Sequence, residues 1–321
     1  MEFPTRRHFH HDGLRLAYHL SGPEGGPLVV LLHGWPELSY SWAHQIPAIA
    51  AAGYRVVAPD LRGFGGSDAP HGLGHYAIAQ MVGDVEALID HLGADTATVI
   101  GHDWGGIIAW QAALMLGDPA VGQGGRVSRV ASICTPLVRE APVDPLAIFE
   151  RRFGPDHYFL VFNREPDATA ALFARDPDAF FATMMRTVPK DYEMGSAFTY
   201  IPRNFAAHLA SGRGVPKGQI LSGADRAVYA EGYRASGFHG GIALYRNTTE
   251  NWELTRGLRL RVTQPALMVS PEDDRLLPPS ATDHMPELVD DLTRVTIPDC
   301  GHWAMWERPD AVNRVLVEWL G

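Results

Sequence analysis

The chain reads as an α/β protein: a mostly parallel central sheet with helices on both faces and an inserted helical cap. Two observations predict this. Short, continuous apolar runs recur along the sequence, the mark of strands buried on both faces, and helical patterns lie between them. The alternation then stops between Pro136 and about Thr255. That segment is rich in Phe, Tyr, Met, Arg and Pro and reads as short helices and loops with no clear buried strand. The expected organisation is a core domain of residues 1–136 and 256–321, interrupted by a cap of residues 137–255 over the edge of the sheet where ligands bind.

Taken in order, residues 6–20 form a hairpin turning at Asp12-Gly13. Leu28 to Leu32 is the first buried strand, Arg55 to Ala58 the second and Thr96 to Ile100 the third. Val127 to Ile133, Ala266 to Val269 and Arg294 to Ile297 follow. Ile78, Met81, Val82, Val85, Leu88, Ile89 and Leu92 repeat at three and four, and Gly93 ends that helix. An apolar helix runs from Ile107 to Leu116. At the C-terminus Val312, Val315, Leu316, Trp319 and Leu320 form one face of a helix opened by Pro309.

Composition bounds the function. Of 321 residues, 46% are apolar and 20% charged, which excludes disorder, collagen and disulfide scaffolds. The formal charge of −10 argues against a nucleic-acid or anionic-membrane partner, because both need a basic face. The two cysteines, Cys134 and Cys300, form no Cys-x-x-Cys and read as free buried thiols of a cytoplasmic protein. The N-terminus, from Met1 to Arg7 and on into His8, His10 and His11, has no apolar run of a signal peptide. Those histidines read as a solvated hairpin and not as metal ligands. The most apolar stretch, Ala97 to Leu116, is broken by His102, Asp103 and Gln111, so it is no membrane span.

Four clusters carry chemistry. The strand ending at Ile100 runs into Gly101-His102-Asp103-Trp104-Gly105-Gly106 and then a helix. A small-x-nucleophile-x-small turn between strand and helix is the nucleophile elbow, here with aspartate at its centre. A carboxylate attacking an acyl group would form an anhydride, whereas at an sp³ carbon it forms an ester. That moves the chemistry away from esterases and proteases. The second cluster, His33-Gly34-Trp35-Pro36-Glu37, follows the first buried strand, where a loop can supply one oxyanion N–H, with the N–H of Trp104 as the other. The third, Asp60-Leu61-Arg62-Gly63-Phe64-Gly65-Gly66-Ser67-Asp68, is glycine-rich but lacks the Gly-Lys-Ser/Thr of a phosphate loop, and reads as a structural loop packing Arg62 and Ser67. The last pairs the acidic run Glu272-Asp273-Asp274-Arg275 with Asp299-Cys300-Gly301-His302-Trp303. Nucleophile, acid, histidine is the chain order this architecture uses, and a histidine held by a buried carboxylate is a general base.

With these motifs the chain resembles the epoxide hydrolases of the α/β-hydrolase fold, the soluble type above all, over nearly its whole length. The resemblance implies a mechanism with no metal and no organic cofactor. Asp103 is the nucleophile, His302 the general base, and Trp35 and Trp104 provide the oxyanion hole. The family's Glu-x-Asp followed by a proline five residues later selects Asp274 as the orienting acid, with Asp273 as the alternative. In the cap, His157-Tyr158-Phe159-Leu160-Val161-Phe162-Asn163 and Leu244-Tyr245-Arg246-Asn247 resemble the two segments whose tyrosines hold the epoxide oxygen. Tyr158 and Tyr245 are therefore the implied proton donors, as a phenol with its ordinary pKa of ~10 stays protonated at neutral pH. The first segment departs from the family at Asn163 and Arg164-Glu165-Pro166. Trp104, Phe159 and Trp303 are implied at the substrate, a small apolar epoxide. Phe149, Phe153, Phe162, Phe173, Phe180, Phe181 and Met184 extend the expected apolar lining. A cis Trp35-Pro36 bond is implied as well, and an exposed cap is compatible with a homodimer.

A haloalkane dehalogenase would make the same aspartyl ester but expel halide. The asparagine it carries after His-Gly is here Trp35, and the arginine that a fluoroacetate dehalogenase carries after the nucleophile is here Trp104. A non-catalytic ligand-binding protein on the same fold would be expected to have lost a catalytic residue, and none is missing.

Overall fold

The computed structural model describes residues 3–117, 125–187 and 199–321. Met1 and Glu2 of the N-terminal reading, and residues 188–198 of the inserted segment, lie outside them. The described chain divides into two compact units. One holds residues 1–61, 78–139 and 257–321, the other residues 62–77 and 140–256.

The first unit is built on an eight-stranded sheet in the order β1-β2-β4-β3-β5-β6-β7-β8. Its strands are β1 (Arg6–His11), β2 (Leu14–Ser21), β3 (Leu28–Leu32), β4 (Arg55–Pro59), β5 (Ala97–His102), β6 (Val127–Ile133), β7 (Ala266–Pro271) and β8 (Leu292–Ile297). The hairpin β1-β2 pairs antiparallel and joins β4 antiparallel, and every other pairing is parallel. Asp12 and Gly13 both take positive φ at the hairpin turn, as a tight two-residue connection requires. All of β3, β5 and β7 is buried, which is why their sequences are unbroken apolar or small-residue runs rather than alternating ones.

Five helices flank the sheet: α1 (Gln45–Ala51), α2 (Ile78–His91), α3 (Trp104–Leu116), α12 (Ala304–Glu307) and α13 (Pro309–Leu320). α13 buries Val312, Leu316 and Leu320 against a core that includes Ile46 and Ile49 of α1 and Val29, Leu31 and Val56 of the sheet. α3 begins at Trp104, three residues before the apolar run that announces it in sequence. The helix therefore starts directly at the elbow, and Gly106 and Ile107 donate their N–H groups to the Asp103 carbonyl. Cys134 and Cys300 are free and buried in this core.

The second unit contains α4 (Pro145–Phe153), α5 (Tyr158–Arg164), α6 (Pro166–Ala174), α7 (Pro177–Met184), α8 (Ile201–Ser211), α9 (Gly223–Ser236), α10 (His239–Arg246) and α11 (Thr248–Thr255). No strand occurs among its described residues, only an isolated antiparallel bridge between Arg186 and Gln219. Each of α4, α6 and α7 opens with proline, whose fixed φ suits the first helical turn. The aromatic run predicted to line a binding surface is mostly this unit's own core. Phe162, Phe173, Phe180 and Phe181 are each completely buried, and Met184 nearly so. Phe180 packs edge-on against Phe205 and Phe238, at 5.4 and 5.1 Å between ring centroids. Helices packed on one another here fill their interior with large rings.

The glycine-rich loop after β4 belongs to this second unit. Arg62, fully buried, donates to the His75 carbonyl at 2.9 Å, and the Gly63 N–H donates to the Asp68 carbonyl. It is a loop tied to itself, not a cradle. No helix among the described residues is long and apolar enough to cross a membrane.

A Cβ on Gly105 would overlap the Leu32 carbonyl at the end of β3. Backbone cannot move aside as a side chain can. Gly105→Ala is expected to lower stability by about 3 kcal/mol, read as a shift of the urea midpoint with an unchanged denaturant slope.

Candidate active site

β5 delivers the central aspartate. Six buried residues carry the chain to His102, and Asp103 then takes φ +52°, ψ −120°. Such backbone strain costs about 1–3 kcal/mol in a non-glycine residue and persists only where neighbours enforce it. Here Thr135 Oγ1 donates to the Asp103 carbonyl at 2.8 Å, beside the two N–H groups of α3. Gly34 lies so close to Asp103 that a Cβ on it would overlap the Asp103 side chain. The following peptide, with Trp35-Pro36 in cis, directs the Trp35 N–H onto Asp103 Oδ1 at 2.8 Å. Trp104 is buried and opens α3.

The other carboxylate oxygen faces histidine. His302 Nε2 lies 3.7 Å from Asp103 Oδ2, and His302 Nδ1 lies 2.8 Å from Asp274 Oδ2. Asp274 Oδ1 accepts the N–H groups of Leu276 and Leu277 at 2.9 and 3.1 Å. Asp273 is only half-buried, and its neighbours are Glu272 and Asp299 rather than the imidazole. Burial opposes charge on Asp274, but His302 and the two backbone donors outweigh it and hold the carboxyl below its usual range. Burial likewise favours neutral His302, yet the Asp274 carboxylate, helped by Asp103, holds its pKa well above the ordinary value. Trp303 is buried, its ring edge-on to the His302 imidazole at 4.9 Å.

Two residues quoted within the motifs had no assigned role. Glu37 and His102 form a completely buried pair, Oε2 to Nδ1 at 2.7 Å. Glu37 Oε2 also accepts the Gly34 N–H at 2.6 Å, and His102 Nε2 donates to the His302 carbonyl at 2.8 Å. A carboxylate at one ring nitrogen and a carbonyl at the other favour an imidazolium at His102. Accordingly, although desolvation opposes both charges, Glu37 is held low and His102 well above its ordinary value, each by the other. His33 differs. Its Nε2 accepts the Leu61 N–H at 3.0 Å and its Nδ1 donates to the Gly34 carbonyl at 2.9 Å, so it is neutral, and burial lowers its pKa. A histidine adjoining the nucleophile and a glutamate three residues after a glycine were the available signals. Only the fold shows that they meet.

The second unit brings its two predicted tyrosines together. Tyr158 opens α5 and Tyr245 lies near the end of α10, with ring centroids 5.2 Å apart and nearly perpendicular. Phe159 packs against both, at 4.7 Å from each. Asn163 donates to the Phe159 carbonyl at 2.8 Å and reaches the Tyr245 carbonyl at 3.4 Å, bridging the two helices. The departure from the family pattern that follows it forms the break between α5 and α6, with Pro166 opening α6. His157 caps α5 by accepting the Phe159 N–H at Nδ1, and its ring stacks on Phe149 and Phe153.

Sheet order, elbow and an Asp–His–Asp arrangement together define a hydrolase of the α/β type. The family model described as alpha/beta hydrolase fold matches residues 27–309. Epoxide hydrolase A of Mycobacterium tuberculosis is 35% identical, over all of this chain and 98% of its own length. Bifunctional epoxide hydrolase 2 of Sus scrofa is 33% identical over 96% of this chain, which spans about half (53%) of that relative. The crystal structure of epoxide hydrolase A from Mycobacterium thermoresistibile superposes with a TM-score of 0.88 at 35% identity, covering 99% of this chain and 98% of that one. An epoxide hydrolase from an endophytic Streptomyces gives 0.86 at 31% identity, covering 100% and 96%. The chain belongs to the epoxide hydrolases of the α/β-hydrolase fold.

Two predictions follow from these contacts. Glu37→Gln leaves the buried His102 cation without its counter-charge and is expected to cost about 3 kcal/mol of stability, measured by chemical denaturation at pH 7. Burial lowers the His157 pKa from its ordinary 6.5 to about 4. Its stabilising effect is therefore complete above the unfolded pKa and is lost as pH falls through the folded one. The melting temperature should drop between pH 6.5 and about 4, and His157→Asn should flatten that drop.

Proposed function

We propose that this protein hydrolyses epoxides to vicinal diols through a covalent ester on Asp103. The observation that carries the reading is one carboxylate with a backbone N–H on one oxygen and a carboxylate-held imidazole facing the other. In the first step Asp103 Oδ2 attacks an epoxide carbon opposite the breaking C–O bond. Tyr158 and Tyr245 hydrogen-bond the epoxide oxygen, and one donates its proton as the ring opens, giving a hydroxyalkyl ester. Residues 140–256 serve as the cap that supplies these tyrosines, and Trp104, Phe159 and Trp303 bound a small apolar substrate.

In the second step His302, oriented by Asp274, takes a proton from water, and the resulting hydroxide attacks the ester carbon. The N–H groups of Trp35 and Trp104 stabilise the oxyanion. Collapse releases the diol and restores the Asp103 carboxylate beside protonated His302, whose resting proton had passed through solvent to the tyrosinate oxygen once the ester formed. His302 needs no metal or organic cofactor as its partner in this scheme.

The test is intact-protein mass spectrometry of His302→Gln after incubation with styrene oxide, and separately with 1-bromobutane. A mass gain equal to the whole epoxide, mapping to Asp103, is expected. An alkyl-only gain with bromide release would make the protein a dehalogenase, and no adduct from a panel of epoxides would overturn the reading. Tyr158→Phe and Tyr245→Phe should each slow ester formation by about tenfold or more, and the double variant by about a hundredfold. Asp274→Asn removes the charge that supports protonated His302. The acid limb of the pH profile for ester hydrolysis should move to lower pH while its plateau falls by about a hundredfold.

A further inference from the structure

We propose that Glu307 is a positioning residue for His302, its carboxylate clamping the two backbone N–H groups that flank the base. The proposal rests on the roles of Asp103 and His302 given above. Glu307 ends α12, the single turn that follows the His302 loop. Its Oε2 accepts the Gly301 N–H and its Oε1 the Trp303 N–H, each at 3.1 Å. A first-turn carboxylate reaching back to the N-cap N–H is ordinary helix capping. Here the same group also takes the N–H two residues earlier, so both oxygens are used and His302 lies between the two anchors.

From the other side, the His302 carbonyl accepts His102 Nε2–H at 2.8 Å and the Cys134 thiol at 3.3 Å. The peptide units of residues 301–303 are thus held at both faces. The imidazole retains only its side-chain rotations, and its Nδ1 bond to Asp274 fixes those. Glutamine cannot replace the clamp, because its amide offers one acceptor and turns an N–H₂ toward the second backbone donor. Aspartate keeps both acceptors on a shorter stem.

The charged and titratable groups around Glu307 are His302, Asp274, Cys300 and Arg308. Burial pushes the Glu307 pKa up, while the two N–H bonds and His302 oppose that rise. The carboxylate therefore also favours the protonated state of the base.

The expected signature is confined to one half of the reaction. Attack by Asp103 does not use His302 as a base, whereas ester hydrolysis does. The experiment compares wild type, Glu307→Gln and Glu307→Asp in single turnovers with styrene oxide, quenched at intervals and read by intact mass. Glu307→Gln should form ester within about twofold of the wild-type rate and hydrolyse it about tenfold or more slowly, so that ester accumulates on Asp103. Glu307→Asp should fall between the two. Unchanged hydrolysis, or an equal slowing of both steps in a folded variant, would overturn the proposal. If Glu307→Gln does not fold, the Asp variant carries the same comparison. If wild type itself forms no ester, the reading of the reaction fails, and an NMR pH titration of the His302 imidazole decides the role of Glu307 separately. Removing the carboxylate should lower that titration midpoint and shift the ring signals, and an unaltered titration would refute the role.

Discussion

The ion pair between Glu37 and His102 is the contact on which the site's three segments meet. Glu37 reaches back to the Gly34 N–H, so it shapes the loop that aims the Trp35 N–H. His102 is the residue before the nucleophile, and its far nitrogen holds the carbonyl of His302. Loop, elbow and base come from residues about 70 and 200 positions apart in the chain, yet one buried charge pair sets their spacing. Two charges removed from water are costly to bury, and their mutual attraction offsets that cost only when the remaining donors and acceptors are satisfied. The Gly34 N–H adds a second bond to the shared oxygen Oε2, and the His302 carbonyl takes the far ring nitrogen. Geometry at Asp103 is thus enforced by two completely buried groups.

A second consequence is rigidity at a strained turn. Asp103, Cys134 and Asp299 all take positive φ without being glycine. Each follows a strand or leads the loop to the base, and each is held by hydrogen bonds to a neighbouring segment. At Asp103 and Cys134 the strain survives because the buried ends of β5 and β6 that lead into them do not yield.

Much of this was legible in the sequence for a physical reason. A strand buried on both faces is made mostly of apolar and small residues, so β3, β5 and β7 announce themselves. A turn that lifts one side chain from strand to helix needs small residues beside it, so the elbow does too. What stayed illegible depends on partners distant in the chain. Nothing local to His102 says that it is charged, since that follows only from the acceptors at both its ring nitrogens. The aromatic residues of the inserted segment could not be sorted into lining and core from composition alone. Phe162 and Phe159 differ by three positions on one helix, and only the first is completely buried. The start of α3 was missed because Trp104-Gly105-Gly106 looks like a turn. Its glycines serve close packing against β3 while the backbone is already helical. The grouping of residues 62–77 with the second unit left no trace in sequence, since a self-bonded glycine-rich loop carries no sign of which domain it joins.

The charge arrangement also suits one histidine to the proposed two-step reaction. Before substrate arrives, His302 stands between the Asp274 carboxylate and the Asp103 carboxylate, and both favour its protonated form. In the proposed ester, Asp103 is neutral. The imidazolium loses one of its two counter-charges while burial, which disfavours the cation, remains. Its pKa therefore falls at the moment a base is required. Once the ester is hydrolysed the charge on Asp103 returns and the affinity of His302 for a proton rises again. In the proposed reaction Asp103 in this way switches His302 with no conformational change, because the carboxylate that would react is the one that faces the imidazole.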